Sequence, residues 1–173
     1  MALPSDYNHQ SCSLARSLEI VGERWTLLIV RDAFYGVRRF GDFAVHLDIP
    51  RAVLTNRLKA LVAEGVMDKV PGSGGHDEYV LSAKGVKLWP ALRSLMSWGD
   101  EFYAPDGPRR VLSHATDDGR IGPDGHCELC GAEVAAADTV IAPGPGLDPR
   151  RRRDDKVSVA IRGERRLLEP LLT

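Results

Sequence analysis

Two groups of side chains in this 173-residue sequence have types and spacings suited to chemistry. The first lies between residues 38 and 69. Arg51 can donate two hydrogen bonds to a guanine edge, Asn56 can pair with adenine, and Ala52 and the Thr55 methyl can meet a thymine methyl. Arg38, Arg39, Lys59 and Lys69 suit phosphate, where contact adds affinity without reading sequence. Arg57, beside an apolar stripe, either binds phosphate or orients the helix that carries it. In this stretch six basic residues stand against four acidic ones, Asp42, Asp48, Glu64 and Asp68, in a chain whose formal net charge is −1. Attraction to nucleic acid must therefore be local, and its non-specific part weak.

The second group is the cysteines, Cys12, Cys127 and Cys130. Three is odd and too few for a disulfide scaffold, which points to a reducing compartment and to reactive or metal-binding thiols. Cys127 and Cys130 flank two residues and precede Gly131, a spacing with which two thiolates chelate one tetrahedral ion while glycine permits the turn. That is half of a zinc site, which His114, His126, Asp117 or Asp118 can complete. A metal-free knuckle held by β structure and a redox dithiol stay open as alternatives. Cys12 opens a helix, where backbone N–H groups favour a thiolate. It reads as a reactive thiol or as a small apolar residue at an interface.

The elements that must position these groups follow from periodicity. Leu14, Leu18 and Val21 give a short helix closed by Gly22; Trp25, Leu28, Ile29 and Phe34 give a second, ending near Gly36; Phe40, Phe43, Ala44 and Leu47 give a third. Asp48 is the expected N-cap of a fourth, with Pro50 in its first turn. Leu54, Leu58, Leu61 and Val62 put one apolar face on that helix, so Arg51, Ala52, Thr55, Asn56 and Lys59 point away from the core. Residues 66–70 and 78–82 predict a hairpin with a glycine-rich tip, and 83–103 one amphipathic helix of some five turns. The order is that of a winged helix-turn-helix, an α+β fold, with additional dimerisation helices at both ends. Trp25, Trp89 and Trp98 are core residues or the lining of an apolar pocket between protomers.

A change of composition near 104–109 predicts a DNA-binding and dimerisation domain over 1–103 and a small β-rich appendage over 104–173. In the appendage, 111–114 and 134–142 are strand candidates and 164–172 a short terminal helix. Arg150 to Arg153, flanked by Asp148, Asp154 and Asp155, read as a solvated or disordered loop.

The segments CSLARSLEIVGERWTLLIVRDAFYGVRRFGDF, IPRAVLTNRLKALVAEGVMDKV, YVLSAKG and LWPALRSLMSWGD resemble the HxlR-type winged-helix regulators over about residues 12–100. The resemblance implies homodimers whose first helix and post-wing helix form the interface, with paired recognition helices on a two-fold operator in double-stranded DNA. It also implies an electrophile, oxidant or small-molecule effector, since relatives use a cysteine placed like Cys12 for sensing. One departure concerns the wing. Family members often carry a proline-arginine stretch before Tyr-x-Leu, whereas here Gly74, Gly75, His76, Asp77 and Glu78 occupy it.

No glycine-rich phosphate loop, Gly-x-Ser-x-Gly elbow or His-Glu-x-x-His run is present, which argues against an enzyme. No uninterrupted apolar run approaches the roughly 20 residues of a membrane span, and MALPSDYNHQ lacks the features of a secretory signal, so the cytoplasm is the expected compartment. The competing function is a winged-helix protein-interaction module without specific DNA binding.

Overall fold

Phe34, Phe43, Leu54, Leu58 and Leu61 are almost wholly enclosed, and the helices that carry them stack around one another because each presents an apolar stripe at helical spacing. The computed structural model describes residues 7, 9–72, 75–148, 150 and 153–171. Its first half runs α1 (Ser13–Val21), α2 (Thr26–Phe34), α3 (Phe40–Leu47), α4 (Arg51–Ala63), β1 (Met67–Pro71), β2 (Asp77–Leu81), α5 (Ala83–Val86) and α6 (Trp89–Tyr103). Strands β1 and β2 pair antiparallel from Met67 opposite Leu81 to Pro71 opposite Asp77, forming the wing. A third segment joins its edge, where the Tyr79 N–H donates to the Arg38 carbonyl at 2.8 Å and Arg39 bridges to Glu78. Trp89 of α6 closes the core against Phe34, ring centroids 5.1 Å apart.

Two local expectations give way. Asp48 does not open α4; it ends α3 in the left-handed region at φ 53°, which an aspartate tolerates better than most residues, and Pro50 takes the N-cap position. The turn between the two helices is therefore residues 48–50, with Ile49 buried beneath it. The segment 83–103 is two helices. Pro90 has no N–H to continue a hydrogen-bond ladder, so it sits in the first turn of a new helix, α6, and α5 stops at Val86.

The second half is a three-stranded antiparallel sheet in the order β3-β4-β5, built from β3 (Arg110–His114), β4 (Thr139–Pro143) and β5 (Arg165–Arg166), with α7 (Lys156–Ala160) between the last two strands. Residues 134–138, predicted as the beginning of a strand, instead hold a short 3-10 turn at Ala136–Asp138. In place of the expected terminal helix over 164–172, the described part holds the two-residue strand β5 and a turn at 167–168 in which Leu168 takes φ 67°. Arg165 and Arg166 pair with Ile141 and Val140, and Leu167 buries its side chain in the core, so backbone and side chain are both engaged without a helix.

The apolar core crosses the composition boundary. Ala136, Ile141, Val157, Ile161 and Leu167 join the same buried cluster as the residues of α2, α3 and α4. Leu168 donates its N–H to the Phe34 carbonyl at 2.7 Å, and Leu171 to that of Gly36 at 3.0 Å. Gly36 has φ 91°, and a Cβ there would lie 1.9 Å from the Glu169 carbonyl oxygen, so only glycine fits this approach. A separate small cluster holds Ile121, Cys127 and Val134, with Leu112 against it. Of the three tryptophans, Trp89 is buried, Trp25 half-buried and Trp98 exposed, so they do not line one cavity within the chain. No helix among the described residues is long and apolar enough to cross a membrane.

Candidate nucleic-acid interface

Leu54, Leu58 and Leu61 fix the rotation of α4 by burying one face, which leaves Arg51, Ala52, Asn56 and Lys59 exposed on the other. The brace behind it is polar. Asp32 of α2, with no exposed surface, accepts from Arg31 Nη2 at 2.7 Å and Nε at 3.0 Å, and its second oxygen accepts from His46 Nδ1 of α3 at 2.6 Å. A buried carboxylate is retained only when paired in this way. Here it locks α3 to α2, and α3 in turn sets the angle of α4.

Along the exposed edge, each predicted residue has a definite setting. The Arg51 guanidinium stacks over the Phe40 ring, 5.3 Å from its centroid. Stacking engages the face of the group and leaves its in-plane N–H donors for an acceptor pair such as a guanine edge. Thr55 is half-buried and spends its hydroxyl on the Arg51 carbonyl at 2.8 Å, so its methyl is what it can offer a ligand. Asn56 and Lys59 are exposed. Arg57 turns back to Glu23 at 3.7 Å, bridging α4 to the α1–α2 turn.

The cations at the edge of the wing are countered by carboxylates. Glu78 on β2 receives Arg38 Nη1 at 3.9 Å and Arg39 Nε at 3.8 Å. Lys69 on β1 pairs with Asp77 at 2.6 Å, and this hydrogen bond raises the lysine's pKa. Gly74 at the tip lies outside the described residues. Sequence reasoning identified the cations without their partners; the signal was the hairpin register, which places Asp77 diagonally from Lys69 and carries Glu78 to the 38–39 edge. Phe40 under Arg51 and the Asp32–His46 brace left no comparable trace, because each joins residues eleven or more positions apart.

The cysteine groups divide. Cys12 is exposed at the N-cap of α1 and makes no side-chain capping bond there. His114, Asp117, Cys127 and Cys130 converge, with one ligand-type atom from each lying within 4.8 Å of the others. His126 stays apart, its Nδ1 3.3 Å from Asp124 Oδ2. Of the arginine run, Arg151 and Arg152 lie outside the described residues. Arg153 is ordered by contact: its Nη2 donates to the Val45 carbonyl of α3 at 2.7 Å and its Nε lies 3.5 Å from Asp155.

Two helices expose apolar stripes. Leu14 and Leu18 project from α1, and Leu95, Trp98, Phe102 and Tyr103 from α6, with Trp98 at 54% exposure. The last three form a ring cluster, Trp98 lying 5.6 Å from Phe102 and 5.4 Å from Tyr103.

Comparison with known proteins places this geometry. The model of the HxlR-like helix-turn-helix family matches residues 20–107. An uncharacterized HTH-type transcriptional regulator of Mycobacterium tuberculosis, Rv3095, is 46% identical over 148 residues, 83% of this chain and 94% of that protein. YvaP of Bacillus subtilis, also named an uncharacterized HTH-type transcriptional regulator, is 34% identical over 52% of this chain and 86% of its own length. Among solved structures, PA1607, a proposed transcription factor, superposes with a TM-score of 0.61 at 40% identity, covering 76% of this chain and 94% of that one.

Proposed function

Because the chain belongs to the HxlR-like helix-turn-helix family, we propose that it is a DNA-binding transcription regulator, acting as a homodimer on a two-fold operator. The observation that carries this reading is the exposed edge of α4, where Arg51, Ala52, Asn56 and Lys59 offer groups that fit base edges and phosphates and no aromatic or branched anchor stands among them. A helix built to dock on protein would display such anchors. In this reading the N-terminal half of α4 enters the major groove, Arg51 reads a guanine from its stacked position on Phe40, Asn56 reads an adenine, and Ala52 and Thr55 meet thymine methyls. Lys59, Arg38, Arg39 and Lys69 follow the phosphates, and Arg57 holds α4 in register through Glu23.

Dimerisation rests on the apolar stripes of α1 and α6, which nothing within the chain covers among the described residues. A two-fold pairing of these stripes sets two α4 helices on one face of the duplex. Cys12, exposed at the start of α1, is the effector-sensing thiol in this scheme: an adduct there alters the packing of α1 and so the spacing of the recognition helices. Binding alone performs the function, and no covalent step on a substrate is required.

The test is binding to the chain's own promoter fragment against a scrambled fragment across a salt series. Specific binding with a steep salt slope is expected, and Arg51→Ala removes about 1–3 kcal/mol of discrimination while Lys59→Ala weakens both fragments alike. Equal affinity for both fragments in the unmodified chain, with a shallow slope, favours the interaction-module reading instead.

A further inference from the structure

Four side chains from two separate stretches meet at one end of the tail sheet. His114 is the last residue of β3, Asp117 lies in the turn after it, and Cys127 and Cys130 flank the turn that ends at Gly131. The distances among them are Asp117 Oδ1 to His114 Nδ1 3.2 Å, Asp117 Oδ1 to Cys127 Sγ 3.3 Å, and Cys130 Sγ to His114 Nδ1 3.5 Å. For a tetrahedral zinc ion with Zn–S near 2.3 Å and Zn–N or Zn–O near 2.0–2.2 Å, ligand atoms stand about 3.3–3.8 Å from one another. These three separations match that tetrahedron's edges to within about 0.3 Å, taking the same bond lengths, and all four ligand atoms lie within 4.8 Å of one another, so closing the remaining edges onto an ion takes shifts of up to about 1 Å. We propose that His114, Asp117, Cys127 and Cys130 together hold one zinc ion in a closed, structural site.

The surroundings are built for this. Gly119 presses its backbone against Cys127, where a Cβ would come 2.3 Å from the sulfur. Gly131 takes φ 72° to close the Cys127–Cys130 turn, its N–H donating to the Cys127 carbonyl at 2.8 Å. The Gly119 N–H donates to Asp117 Oδ1 at 2.9 Å, orienting the carboxylate toward the thiols. The Cys127 thiol lies 3.3 and 3.6 Å from the two Asp117 oxygens, so sulfur and carboxylate already face one another. Two thiolates and a carboxylate carry three negative charges, two of which a divalent ion offsets. Thiolate and imidazole donors select zinc over calcium or magnesium, which take oxygen ligands. The region also needs a staple. Its own buried cluster is Ile121, Cys127 and Val134, far less apolar material than an independent fold requires.

The experiment uses the full-length reduced chain, equilibrated with Zn²⁺ and freed of loose ion by gel filtration, with metal content measured by mass spectrometry and affinity by competition with a chromophoric chelator. One zinc per chain is expected. Co²⁺ in its place should show the visible bands of a tetrahedral ion and thiolate-to-metal charge transfer in the near ultraviolet. Cys130→Ala, at an exposed position, and Asp117→Asn should each weaken zinc binding by more than about 100-fold, beyond what loss of a merely supporting contact costs. His126→Ala and Cys12→Ser should retain it. Circular dichroism on each variant separates lost ligation from lost folding. Substoichiometric zinc in the unmodified chain, with all three thiols reacting freely with a disulfide reagent whether or not Zn²⁺ is present, overturns the proposal. So does full retention of zinc by Asp117→Asn or its loss in His126→Ala, since either outcome breaks the assigned ligand set.

Discussion

If Arg38 and Arg39 follow the phosphates as proposed, Glu78 competes with DNA for them, and removing its charge should tighten binding. Its carboxylate oxygens lie 3.9 Å from Arg38 and 3.8 Å from Arg39, with side chains about one-third exposed for the arginines and 17% exposed for the glutamate. Two unit charges 4 Å apart interact by about 1 kcal/mol in water, and exposed pairs measure roughly 0.2–1 kcal/mol each. Glu78→Gln keeps the shape and releases two such pairs, so the competition removed is about 0.4–2 kcal/mol, or roughly 2- to 30-fold in affinity at low salt. If each arginine then neutralises a phosphate, the slope of log K against log salt steepens by about 0.9 per contact. Fluorescence anisotropy with a labelled promoter fragment and a scrambled one, at several salt concentrations, reads both quantities. The gain must appear equally on both fragments, because phosphates carry no sequence. Unchanged or weaker binding by a folded Glu78→Gln protein, or a gain confined to the promoter fragment, refutes the reasoning.

Trp98→Glu should convert a dimer to monomers at micromolar concentration in sedimentation, since it sets a charge in the centre of the α6 stripe; an unchanged sedimentation coefficient places the interface elsewhere. Quinone or diamide treatment should lower operator affinity of the unmodified chain by about 5- to 150-fold and leave Cys12→Ser unaffected, whereas equal responses implicate Cys127 and Cys130. Asp155 caps α7 by accepting from the Ser158 N–H at 3.0 Å and hydroxyl at 2.7 Å, and Asp155→Ala should cost about 0.5–2 kcal/mol in chemical denaturation. Burial pushes the Asp155 carboxyl up, but the Ser158 bonds, with His46 and Arg153, outweigh it and lower the pKa. Its contribution is therefore present above the ordinary aspartate range near 3.9 and is lost as pH falls through the lower folded value. Asp155→Ala should accordingly flatten stability against pH in that acid window, and an unaltered acid limb excludes the cap as its source.

The winged half was legible because its information is local. Leu54, Leu58 and Leu61 recur at helical spacing and fix both the extent of α4 and the face it exposes, so Arg51, Asn56 and Lys59 follow from counting. The α3–α4 turn misled because Asp-x-Pro fits two patterns, a cap that starts a helix and a left-handed residue that ends one; only the position of Ile49 beneath the turn decides. The segment 83–103 reads as one amphipathic stripe, and the stripe does continue, but the backbone ladder breaks at Pro90, a defect that apolar periodicity does not register. Of the metal cluster, Cys127 and Cys130 announce themselves through spacing. His114 and Asp117 stand among several acids and histidines until the β3 turn sets them opposite the knuckle, whereas His126, beside Cys127 in sequence, turns to Asp124. The strand at Arg165–Arg166 was hidden for a different reason: two arginines have no apolar rhythm, and their pairing with β4 is a long-range event.

The contact of Leu168 and Leu171 with the carbonyls of Phe34 and Gly36 has a consequence for how the protein is made. The Phe34 and Gly36 carbonyls, at the α2 end and in the turn that leads into α3, accept from residues translated more than 130 positions later. A nascent chain that has emerged as far as α6 holds every element proposed to face DNA, yet the pocket that Leu167, Val157 and Ile141 fill is still open to water. Docking of the tail thus follows synthesis of the whole winged half, and a message cut short within the tail yields a helix-turn-helix with an exposed apolar floor, a target for proteolysis rather than a minimal regulator.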